Sequence, residues 1–133
     1  MNSNPGSEKS VSQAAQAYAN ASVENAPPVR VVRLLYQGAI RFLDNAAACD
    51  PAAPATKFDA WLHRAMDVVL ELRMSIEAAH APELAGSLTE LYLFVENAIR
   101  RARTERTIEP LAGARAVLAK LMEAWEAIET GKA

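Results

Sequence analysis

The chain is predicted to fold as an all-α protein, an antiparallel up-down four-helix bundle. Three observations carry that prediction. Apolar residues recur at spacings of three and four through four long segments. No segment alternates with the period of two that a half-buried strand requires. The connections between segments are short, which makes consecutive helices antiparallel neighbours. Composition agrees, for 51% of the 133 residues are hydrophobic but only 6% are aromatic. Alanine, the strongest helix former, supplies much of the difference.

Residues 1–9 are polar, carry Pro5 and Gly6, and are expected to form a disordered tail. Residues 10–26 read as a cap segment and linker. Val11, Ala14, Ala15, Tyr18 and Ser22 have helical spacing but weak hydrophobicity. A short extra helix there would be marginal alone, and holds only by laying Tyr18 and Val11 into a groove on the main body. The bundle itself is expected over 27–130.

Its first helix opens at Pro27 and Pro28, since proline suits the first helical turn, and is expected to end near Cys49. Val29, Val32, Leu35, Tyr36, Ala39, Ile40, Leu43 and Ala46 share one face, with Arg33, Gln37, Arg41 and Asp44 opposite. Val31, Leu34, Gly38 and Phe42 form a second apolar patch shifted round the cylinder. Two readings fit it. The patch is the edge of a tight core, where Gly38 lets a neighbouring helix approach, or it is a surface for a partner. A helix apolar over half its circumference must bury more than one side.

The second helix is expected from about Pro54 to Ala79, with an apolar arc through Phe58, Trp61, Leu62, Ala65, Met66, Val68, Val69, Leu72 and Ile76. Arg73 projects within that arc. Its stem packs and its head reaches water, or its head meets a carboxylate of a partner. Pro82 opens the third helix, to about Arg103, in which Leu84, Leu88, Leu91, Tyr92, Val95, Ala98, Ile99 and Ala102 face inward and Phe94 sits at the edge. The arginines at its end suit the negative pole of a helix, so they need no nucleic acid to explain them. Thr107 is the expected N-cap of the fourth helix. Leu111, Ala114, Val117, Leu118, Leu121, Met122, Trp125 and Ile128 then repeat at three and four until Gly131.

Several function classes are disfavoured. A net charge of −2 predicts neither nucleic-acid binding nor stable membrane association. No apolar run approaches the roughly 20 residues of a membrane span, and the first ten residues lack the pattern of a secretory signal. The single cysteine, Cys49, suits the cytosol. A di-metal carboxylate bundle needs two Glu-x-x-His pairs. Glu77–His80 is one, but His63 has Ala60 three positions earlier. No phosphate-cradling glycine loop is present. No enzyme, metal or cofactor is expected.

An ordered set of motifs is more informative. The run Tyr18…Val23-x-x-Ala26-Pro27…Leu34-Leu35-Tyr36-Gln37-Gly38-Ala39-Ile40 resembles the first long helix of the FliS-type flagellar secretion chaperones. Ile76 with Leu84-Ala85-x-x-Leu88-x-x-Leu91-Tyr92, and Leu118-x-x-Leu121-x-x-x-Trp125, resemble its third-helix entrance and its terminal helix. The resemblance implies a cytosolic chaperone that binds the C-terminal region of flagellin, prevents premature polymerisation and delivers it to the flagellar type III export apparatus. The surplus apolar arcs would carry the client. The residues expected to touch it are Val31, Leu34, Gly38 and Phe42, then Leu62, Val69 and Arg73, then Leu91, Tyr92 and Val95. Tyr18 and Val23 of the leading segment join them, and the segment is expected to cover the surface until the client displaces it. A monomer or weak homodimer is expected. The alternative is a structural or regulatory bundle that homodimerises through the same apolar patch.

Overall fold

The computed structural model describes residues 29–53, 57–78 and 82–130. They form four α-helices: α1 (Val29–Ala47), α2 (Lys57–Ala78), α3 (Pro82–Glu105) and α4 (Leu111–Glu129). Among the described residues there is no strand. The expected leading helix, with Tyr18, and the linker that carries Val23 lie outside them.

Each helix lies against its chain neighbours, and α4 closes the ring by packing on α1. Side-chain pairs give the directions. On α1 and α4, Tyr36 meets Trp125 while the later Asp44 meets the earlier Arg115. On α2 and α3, Asp59 meets Arg106 while Arg73 meets Glu96. Both pairs of helices therefore run antiparallel.

The inward face of α1 is buried at Val32, Tyr36, Ala39, Ile40, Leu43 and Ala46. It meets Phe58, Leu62, Ala65, Val69 and Leu72 of α2, and Leu88, Tyr92, Val95, Ile99 and Ala102 of α3. Leu111, Ala114, Leu118, Leu121 and Trp125 of α4 close the core. Each fully enclosed leucine contributes about 1.5–3 kcal/mol relative to exposure. At one level of this interior the Tyr36 hydroxyl bonds the Tyr92 hydroxyl and accepts the Trp125 indole N–H at 2.9 Å. Three helices are joined there by polar groups with no exposed surface.

A second polar contact is less usual. Glu96 is buried among apolar neighbours, and Arg73 reaches it from α2, with Nε 2.8 Å from Oε2 and Nη2 3.4 Å from Oε1. Arg100 Nη2 stands 3.6 Å from Oε1 on the outer side. The anomaly of an arginine inside an apolar arc is thus answered within the chain, by a carboxylate one helix away.

The connections follow local chemistry. After α1, the Asp50 carboxylate accepts the Ala52 N–H at 2.9 Å, an Asx-turn that needs no further support. α3 ends with the Thr107 N–H bonded to the Ala102 carbonyl and with Arg106 at φ 53°. This is a Schellman stop in the left-handed position where glycine is usual. Arg106 offsets that strain outside the backbone, by an ion pair to Asp59 at 2.7 Å and by standing 5.4 Å over the Phe58 ring.

Two local expectations are corrected. Thr107 is not the N-cap of the last helix. Its Oγ1 accepts the Glu109 N–H at 3.2 Å, capping the turn that precedes the helix, which starts at Leu111. Gly38 does not admit a neighbouring helix either, because a Cβ built on it would meet nothing within 4 Å.

Candidate partner-binding surface

The bundle leaves a coherent apolar stripe on the outer flank of α1. Val31 is 42% exposed and Leu34 46%. Spacings of three, four and four carry the stripe on through Gly38 to Phe42. These steps keep the four residues on one side of a 3.6-residue helix. Phe42 leans toward α2, where its ring stacks on Trp61 with centroids 5.8 Å apart and an interplanar angle of 24°. Leu35 and Val68 are half-buried between the two helices. The result is a shallow flank with an aromatic end and an open position at Gly38.

Cations border it. Arg41 stands 5.6 Å from the Phe42 centroid and Arg64 5.1 Å from that of Trp61, within the range in which a guanidinium is attracted to a ring face. The helix carries Arg30, Arg33 and Arg41 against the single carboxylate of Asp44. That carboxylate is engaged by Arg115 of α4, at 2.6 Å from Nε and 3.3 Å from Nη2. The bond to Asp44, and then its charge, raise the Arg115 pKa above its ordinary value, with burial opposing weakly. As an exposed pair it adds about 0–1 kcal/mol of stability. Its larger consequence is electrostatic, since it leaves the α1 flank basic.

Other exposed apolar side chains are more scattered. Leu93 and Phe94 stand together on α3, Ile108 lies in the following connection, and Met74 is on α2. Two of the arginines toward the end of α3 have local partners. Arg100 bonds Asn97 at 3.0 Å and Arg101 pairs with Glu105 at 3.3 Å. Among the described residues no group of three or more His, Cys, Asp or Glu could hold a metal ion. None of the described helices is long and apolar enough to cross a membrane.

The flank is thus apolar at its centre and basic at its border. The family model described as "Flagellar protein FliS" matches residues 11–132. The chain belongs to the FliS family. It is 28% identical over 118 residues to the flagellar secretion chaperone FliS of Vibrio cholerae serotype O1, covering 85% of this chain and 86% of the relative. It is 26% identical over 120 residues to the flagellar secretion chaperone FliSB of Pseudomonas aeruginosa, covering 90% and 95%. No solved structure matches at comparable significance. Membership of the FliS family places the chain among flagellar chaperones, which are not enzymes.

Within this FliS-family bundle the expected contact residues divide. Val31, Leu34, Gly38 and Phe42 share the α1 flank, and Leu91 is half-buried on α3. Leu62, Val69, Tyr92 and Val95 are corrected from surface to core, being at most 1% exposed. Each faces the bundle axis, and Tyr92 spends its hydroxyl on Tyr36. Arg73 is committed to Glu96. Tyr18 and Val23 lie outside the described residues. Trp61, expected within the apolar arc of α2, and Arg64, expected on its solvent side, are not among the contact residues expected from the sequence. Only the pairing with Phe42 from another helix brings them to the flank, and spacing within α2 carries no such signal.

Proposed function

We propose that this FliS-family protein is a cytosolic export chaperone for flagellin. It takes the C-terminal segment of its client as amphipathic helix along the α1–α2 flank, keeps that segment from polymerising, and hands the subunit to the flagellar type III export apparatus. The observation that supports this most is the exposed stripe of Val31 and Leu34 beside the open position at Gly38. A helical client reads such a stripe through anchors at i, i+3, i+4 and i+7. Ordering a flexible segment costs roughly 2–5 kcal/mol of the gross interaction, so the contact has to be long and apolar. Occupation of the segment is itself the block to assembly.

Calorimetry with the flagellin of the same bacterium tests the reading. Intact monomeric flagellin is expected to bind with a negative heat-capacity change, the mark of apolar burial. Flagellin lacking its C-terminal segment is expected not to bind. Equal affinity for both proteins overturns the assignment of the client segment. Light scattering on the same samples separates this reading from homodimerisation through the stripe, because the free chaperone is expected to stay largely monomeric.

A further inference from the structure

Among the described residues nothing requires position 38 to be glycine. It sits in the middle of α1 without a left-handed backbone, and an added Cβ would enter open space. Glycine is the poorest helix former after proline, so alanine would serve the isolated bundle better. Its neighbours on the flank make the omission pointed. Leu34 lies one turn before it and Phe42 one turn after, while Arg30 and Arg41 are exposed close by.

We propose that Gly38 is the point at which the backbone of the bound client helix approaches most closely, and that the client's apolar stripe is bordered by carboxylates facing Arg30 and Arg41. This rests on the chaperone reading and specifies the chemistry of its client. Small residues allow two helix backbones a separation that larger side chains forbid, as the small-residue contacts of membrane helices show. The occupant is assigned from charge complementarity. The one acidic side chain of α1 is held by Arg115, and Arg41 stands over Phe42, so apolar and cationic surface lie side by side. Complementary charge of this kind sets orientation and speeds encounter.

The test uses the full chain and a synthetic peptide of the C-terminal segment of the same bacterium's flagellin. A second peptide has its aspartates and glutamates replaced by asparagine and glutamine. Gly38→Ala is expected to raise the melting temperature by a few degrees yet bind the first peptide about 5-fold more weakly. Gly38→Leu is expected to fold at least as well as the parent and bind at least 50-fold more weakly. Ala116→Leu, which places the same side chain at an exposed position of α4, is expected to leave affinity unchanged. The neutralised peptide is expected to lose about 10-fold at low ionic strength. Unchanged or tighter binding by Gly38→Leu overturns the close approach while the chaperone reading stands. Equal affinity for the two peptides overturns the acidic border. Failure of the parent chain to bind the first peptide overturns the chaperone reading, and this inference with it.

Discussion

Replacing Arg73 by alanine is expected to lower the unfolding free energy by about 3 kcal/mol, among the largest effects of any single substitution outside the apolar core. Glu96 is fully buried, and Arg73 supplies both of its close contacts from α2, at 2.8 and 3.4 Å. Removing one partner of a buried pair typically costs about 3–5 kcal/mol, because the other charge is left in a poorly solvating interior. Arg100 at 3.6 Å tempers that loss without cancelling it, since it approaches from the exposed side. The corresponding fall in melting temperature is roughly 10 °C for a domain of this size. Combining Arg73→Met with Glu96→Leu is expected to restore stability to within about 1 kcal/mol of the parent, because an apolar pair of similar volume removes both desolvated charges. Urea unfolding of the three chains checks the ordering. A single variant as stable as the parent would mean that Glu96 is content without Arg73.

Tyr36→Phe is the second large effect, at about 2 kcal/mol. One oxygen is removed, yet it serves two groups, accepting the Trp125 N–H at 2.9 Å and bonding the Tyr92 hydroxyl. Both partners are fully buried, and a buried polar group deprived of its bond costs about 1–3 kcal/mol. Ring packing is kept, with centroids 6.2 Å from Trp125 and 6.4 Å from Tyr92, so the loss belongs to the hydroxyl. The denaturant slope should not change, since slope follows the surface exposed on unfolding. A changed slope would mean that the hydroxyl sets the packing of the folded state as well as its energy.

Most of the architecture was legible because helical periodicity is a strong, local signal. Val32, Tyr36, Ala39 and Leu43 announce one face at spacings of three and four, and that face is the core. What periodicity cannot tell is how far the neighbours reach round each helix. Leu62, Val69, Tyr92 and Val95 sit on broad apolar arcs that could have held a partner, and the other three helices cover them. Val31 and Leu34 sit on an arc just as apolar, and nothing among the described residues covers them to the same degree. The partner of Arg73 was hidden for a related reason. A charge inside an apolar arc signals a counter-charge, but Glu96 is on another helix 23 residues away, and only the antiparallel pairing of α2 with α3 makes them meet. Thr107 misled because a capping residue stabilises whatever turn follows it, and here that turn is not yet the helix.

The most direct test of the central claim is site-specific photocrosslinking with purified flagellin. A benzophenone amino acid is placed at position 34 or at position 108, native side chains of similar exposure on different parts of the bundle. A client lying along the α1–α2 flank predicts that position 34 crosslinks to the C-terminal segment of flagellin and position 108 does not. Crosslinking from position 108, with none from position 34, would contradict the account and move the client to the α3–α4 connection.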